Sequence, residues 1–133
     1  LRLYPLLYTH QIIPGDSGPA PPVFTRKLRK AAVGTGCDIR LRVTVTGRPA
    51  PTLCWYQNEQ PVTTSGRFSL RTSEDGTAEL RITSAQRADS GAYVCKVINE
   101  HGVQQAQCSV DVTGTQLLYS FVWLVLAEID HIV

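Results

Sequence analysis

Apolar and polar residues alternate with a period of two through much of this chain. Ile39, Leu41, Val43 and Val45 share one side of a run whose other side is Arg40, Arg42, Thr44 and Thr46, the pattern of a strand with one buried face. The same alternation returns in Tyr93, Cys95 and Val97 and in Ala106, Cys108, Val110 and Val112. Between such runs stand turn-forming groups: Gly47-Arg48-Pro49-Ala50-Pro51, Asn58-Glu59-Gln60-Pro61, Ser73-Glu74-Asp75-Gly76 and Asn99-Glu100-His101-Gly102. The Asp75-Gly76 pair is a strong hairpin signal. The pattern predicts strands over 23–28, 39–45, 52–57, from 67, over 77–82, through 93–97 and over 103–112. A crossover over 84–89 carries at most one helical turn, and 58–61 is read as a turn. Seven or eight short strands without a helix of useful length predict an all-β, two-sheet sandwich.

Composition sets the limits of that domain. With 133 residues, 43% hydrophobic and 18% charged, the chain supplies one core with tails rather than two domains. The expected division is a tail over 1–21, a folded domain over 22–113 and a tail over 114–133. Residues 1–13 have a faint signal-peptide character, weakened by Pro5 and His10, and 14–22 read as a Pro/Gly-rich linker. The stretch 117–127 is the most apolar in the chain, but its 11 residues fall short of the roughly 20 that a membrane helix needs. No membrane span is expected. No methionine occurs, even at position 1, so the chain is expected to be a fragment or processed segment of a longer protein.

Candidate chemistry is sparse. His10, His101 and His131 are scattered, and no spacing suggests a catalytic set, metal or cofactor. Cys54 adjoins Trp55, so if Trp55 faces the core Cys54 faces out. Cys108 faces in beside Cys95 but is offset from it by two residues if the last hairpin turns at 99–102. These positions favour thiols over bridges, and reduced thiols point to the cytosol or nucleus.

Four linked signatures carry a family resemblance: Pro22-Val23-Phe24, Gly47-Arg48-Pro49-Ala50-Pro51 ahead of Trp55, Asp89-Ser90-Gly91-Ala92-Tyr93-Val94-Cys95, and Cys95-Lys96-Val97-Ile98-Asn99-Glu100-His101-Gly102. Over 22–113 the chain resembles the I-set immunoglobulin-like domains of intracellular muscle and cytoskeletal proteins, the group of titin, obscurin, myosin light chain kinase, the striated-muscle preferentially expressed kinase, myosin-binding protein C and palladin. The resemblance implies a Greek-key sandwich whose centre holds Leu41, Val43, Trp55, Leu80, Ile82, Tyr93 and Cys95. It also implies an Arg67–Asp89 ion pair and a tyrosine corner made by Tyr93. Neighbouring immunoglobulin or fibronectin III domains, a cytoplasmic, cytoskeletal setting, and any kinase activity residing elsewhere in the parent follow from the same likeness. Where the family usually places the disulfide partner of Cys95, this chain has Val43. Cys37 cannot substitute: six residues upstream is roughly 20 Å along a strand, against about 7 Å for bridged Cα atoms. The missing bridge forgoes about 3 to 4 kcal/mol, of which burial of a valine returns about 2 kcal/mol.

Charge adds the functional lead. Net charge is only +2, yet Arg26, Lys27, Arg29, Lys30, Arg40, Arg42 and Arg48 face a single acid, Asp38, between Phe24 and Pro49. Arg40, Arg42, Arg71 and Arg81 are expected on one outer sheet face. Such a face is either a solvated surface balanced by Glu74, Asp75 and Glu79, or a docking surface for an acidic protein partner such as actin. Nucleic acid is not expected, since no aromatics interleave with the cations. An exposed edge at the first or last strand is a second route to a partner. The alternative reading is an extracellular receptor or adhesion domain.

Overall fold

In a computed structural model, residues 18–114 form two facing sheets. The signal-like segment and linker expected up to residue 17 and the apolar stretch 117–127 lie outside these described residues. One sheet joins β1 (Ala20–Arg26), β3 (Ile39–Arg48), β7 (Thr77–Ile82) and β6 (Phe68–Thr72) in the order β1-β3-β7-β6. The other joins β2 (Ala31–Gly34), β9 (Gly102–Thr113), β8 (Gly91–Asn99), β4 (Thr52–Gln57) and β5 (Gln60–Pro61) in the order β2-β9-β8-β4-β5. A single 3-10 turn, Arg87–Asp89, lies in the crossover from β7 to β8. The chain is thus an all-β, immunoglobulin-like two-sheet sandwich.

Alternation in the sequence becomes alternation in burial. In β3, Ile39, Leu41, Val43 and Val45 are buried while Arg40 and Thr46 are exposed. In β9, Ala106, Cys108, Val110 and Val112 point into the core. One cluster unites these residues with Trp55, Leu80, Ile82, Tyr93, Cys95 and Val97. Val43, Leu80, Ile82, Tyr93, Cys95 and Val97 have no exposed surface, so each contributes its full apolar transfer energy of about 1.5 to 3 kcal/mol where the side chain is large. Cys95 pairs across the ladders with Trp55 and Ala106, and Cys108 with Tyr93. The two-residue offset leaves Cys95 without a bridging partner, and all four cysteines are free.

The first strand departs from expectation. Instead of one strand over 23–28, β1 pairs antiparallel with β3 through Arg26, and β2 pairs parallel with β9. Between them Leu28 is buried while Arg26, Lys27, Arg29 and Lys30 are exposed. The chain therefore changes sheets over 27–30, pinned by one apolar side chain. The turn expected at 58–61 is present at Asn58-Glu59, and the two residues after it form a short strand. Gln57 pairs with Gln60 and Tyr56 with Pro61, making a two-residue hairpin whose loop, Asn58-Glu59, has φ of 47° and 68°. Positive φ at both loop positions matches the right-handed twist of the flanking strands.

Gly76 shows why the β6–β7 turn is glycine-specific. Its φ is +90°, and a Cβ there would strike the Val45 carbonyl oxygen, which lies against the turn because Val45 donates its N–H to the Gly76 carbonyl at 2.9 Å.

Candidate functional site

The outer face of the β1-β3-β7-β6 sheet carries the charge. Register sets its arrangement: Arg40 lies opposite Arg81, and Glu79 lies between Arg42 on β3 and Arg71 on β6. Arg42 Nε donates to Glu79 Oε1 at 2.6 Å. This hydrogen bond, with the fields of Arg42, Arg40 and Arg71, outweighs desolvation and holds the Glu79 carboxyl below its usual value. Arg81 donates to Asp38 Oδ2 at 3.0 Å, and Asp38 is likewise lowered, first by that bond and then by the Ser84 N–H. Arg81 Nε is buried without a hydrogen-bond partner among the described residues. Two of the four arginines are thus paired with carboxylates, whereas Arg40 and Arg71 make no ion pair among the described residues. Both are exposed. The acids Glu79 and Asp38 were not assigned these partners from sequence; the signal was available in the register, which puts Glu79 directly across from Arg42.

A second polar cluster lies at the end of the sandwich nearer the crossover. Arg67 meets Asp89 with two hydrogen bonds, Nη1 to Oδ2 at 2.7 Å and Nη2 to Oδ1 at 2.9 Å, the fork-to-fork geometry favoured by a guanidinium and a carboxylate. Arg67 also donates to the carbonyls of Thr83 and Ser84. Burial alone would raise the Asp89 carboxyl, but Arg67 and the Gln86 N–H at 2.8 Å overcome it and hold it low. Tyr93 donates its hydroxyl to the Asp89 carbonyl at 2.6 Å, and burial followed by the neighbouring Asp89 charge pushes its own ionisation upward. Every group here is satisfied by another, which is the signature of a fastening rather than of a reactive centre.

A third cluster has no counterpart in the sequence reading. Asn58 accepts from Ala92 N–H through Oδ1 at 2.9 Å, donates its own N–H to the Ala92 carbonyl at 2.8 Å, and donates Nδ2 to the Ser90 carbonyl at 3.5 Å. Gly91, with φ of +140°, lies against this carboxamide, and a Cβ would run into it. The β4–β5 loop is thereby clasped to the start of β8. Asn99 plays a similar part at the opposite end, donating to the carbonyls of Ala20 and Pro49 at 2.8 and 3.0 Å.

The two core thiols, Cys95 and Cys108, are poor nucleophiles. Burial pushes Cys95 up to about 12, with Cys54 adding to the rise, and raises Cys108, so both stay protonated and unreactive at neutral pH. Among the described residues no group of three or more His, Cys, Asp or Glu could hold a metal ion. No described helix is long and apolar enough to cross a membrane.

Comparison with known proteins agrees with this picture. The family model for the immunoglobulin I-set domain matches residues 22–112. The chain is 48% identical over 83 residues to the striated muscle preferentially expressed protein kinase of Danio rerio, covering 62% of this chain and 2% of that protein. It is 33% identical over 96 residues to the cardiac-type myosin-binding protein C of Gallus gallus, covering 72% of this chain and 8% of that protein. Among solved structures, the complex of titin M10 with the obscurin-like 1 immunoglobulin domain aligns with a TM-score of 0.68 and 32% identity, covering 71% of this chain and 96% of the aligned one. This chain thus spans only a small fraction of the curated relatives it matches.

Proposed function

The chain belongs to the immunoglobulin I-set family, and from that premise we propose that it is a non-catalytic interaction or spacer module, folded over 22–113, of a cytoskeletal or sarcomeric protein. The tails expected over 1–21 and 114–133 flank that module, except that Ala20 and Pro21 already belong to β1, and neighbouring domains of the parent continue the array. Its relatives are muscle proteins, and one aligned structure is itself a complex between two proteins. The kinase named among the relatives shares with this chain only a segment equal to 2% of its length, so any phosphoryl-transfer chemistry belongs to other parts of such a protein.

The partner in this reading is an acidic protein surface, an actin filament being the leading case, met by the β1-β3-β7-β6 face. The carrying observation is the arrangement of four arginines on one face with only two of them paired to carboxylates. Arg40 and Arg71 keep their hydrogen-bonding capacity for a partner, and charges of one sign accelerate encounter as well as orient it. Free thiols and a core in which Val43 and Cys95 are both fully buried without a bridge fit a reducing compartment.

Cosedimentation with actin filaments tests the reading. The full chain is expected to pellet with filaments at low salt, to be released by added salt, and to lose at least about tenfold in affinity as Arg40→Glu/Arg42→Glu. Binding indifferent to both salt and charge reversal contradicts it.

A further inference from the structure

A groove of about 420 Å³ runs between the sheet-changing segment 27–30 and the start of β3. Arg26, Lys27, Arg29 and Lys30 form one wall and Arg40 and Arg42 the other, and among the described residues no carboxylate lines it. All but Arg42 are exposed. Arg42 shares its charge with Glu79, so the remaining five give the groove a strongly positive potential in a molecule whose net charge is only +2.

The floor of this groove is an open strand edge. β1 pairs with β3 only from Thr44 to Arg48, while β7 covers the opposite side of β3 from Ile39 to Thr44. Once the chain leaves β3 at Arg26 to reach the other sheet, Ile39–Val43 have no ladder partner on that side among the described residues. Five residues of edge extend about 13 Å, and backbone groups there are available to another chain.

We propose that the groove is a docking site for an extended acidic polypeptide segment, which adds a short strand to the open edge of β3 while its carboxylates meet Lys27, Arg29, Lys30 and Arg40. The proposal deepens the reading of this sheet as an acidic-partner surface and rests on it. Main-chain pairing supplies register, and the two cationic walls select glutamate or aspartate at alternate positions of the added strand. A lipid headgroup or free phosphate would meet the same cations but has no backbone to pair with β3. The two halves of the mechanism are therefore separable.

Backbone-amide NMR titration of the full chain tests it, using a peptide of alternating glutamate and valine, its backbone N-methylated analogue, inorganic phosphate and phosphatidylserine vesicles as probes. The peptide is expected to shift the amides of 40–43, Lys27→Glu/Lys30→Glu to weaken it at least about tenfold, and Arg87→Glu, exposed in the crossover turn and outside the groove, to weaken it less than about twofold. The N-methylated analogue is expected not to bind. Lys27 and Lys30 are exposed, and an unchanged circular dichroism spectrum verifies that their variant folds. Equal binding of the N-methylated analogue, or of phosphate or vesicles, overturns the proposal. If the peptide fails while filament binding still responds to Arg40→Glu/Arg42→Glu, the groove assignment falls alone; if both fail, the docking face falls with it.

Discussion

Single residues divide here into those that fasten the sandwich and those left over for a partner. Asp89 belongs to the first group. Its carboxyl is lowered in the folded state, so the stability it adds is present above the ordinary unfolded value near 4 and is lost as pH falls through the folded value. Urea denaturation across acid pH is expected to show that loss in the wild type and a shallower acid limb in Asp89→Asn. At neutral pH the variant is expected to lose about 3 kcal/mol, the low end for a broken buried pair, because the Arg67 side chain keeps 29% of its exposure. Val43 makes the opposite case, a position where chemistry was left out. Val43→Cys, oxidised, is expected to bridge to Cys95, lower the count of titratable thiols, and gain about 4 kcal/mol over its reduced form in the loop-entropy picture. A variant that stays fully reduced under oxidant contradicts the facing placement of the two positions. The inward set of Val43, Tyr93 and Cys95 was legible because period-two alternation reports burial directly, and Trp55 through the family resemblance. The partners of Arg42 and Arg81 were not, since an ion pair between strands depends on register and the sequence supplies only the faces.

Elements follow the same logic with more exceptions. The β7 bounds match the sequence expectation because Asp75-Gly76 fixes one end and strict alternation the rest. The split of the first strand was hidden: 23–28 contains only three apolar residues, and nothing local says that Leu28 leaves the sheet to which Phe24 belongs. That change of sheet is decided by pairing with β9, more than seventy residues away in the chain. In the β4–β5 hairpin the turn was legible but the pairing of Gln60-Pro61 with β4 was not. Its loop places Glu59, a residue with a Cβ, at φ of 68°, where Asn-Gly would have announced the hairpin. Left-handed backbone costs a non-glycine residue about 1 kcal/mol. Glu59→Gly is therefore expected to raise the midpoint of thermal unfolding, with a gain of up to about 1 kcal/mol less the extra unfolded-state entropy of glycine. A lower midpoint would show that Glu59 is held there by interactions stronger than its strain.

At the scale of the whole molecule, the apolar interior accounts for the fold and the charged exterior for the proposed role. One core, closed by Val43, Trp55 and Tyr93 without a disulfide, holds a sheet on whose outer surface Arg40 and Arg71 have no carboxylate partner among the described residues. A stiff two-layer body suits a link in an array, and an uneven charge distribution suits a docking surface. Charge was visible in the sequence as a list of basic residues; which of them are spent on Glu79 and Asp38 became visible only in three dimensions. In the proposed role the two arginines without carboxylate partners among the described residues, rather than net charge, meet the partner. The most direct measurement is the filament dissociation constant across a salt series for the wild type, Arg40→Glu/Arg71→Glu, and a control reversing the same number of charges at Arg48 and Arg87, both exposed. The account predicts that the Arg40/Arg71 variant loses at least about tenfold at low salt and most of its salt dependence, with the control changing several-fold less. Equal losses in the two variants, or none in either, would contradict it.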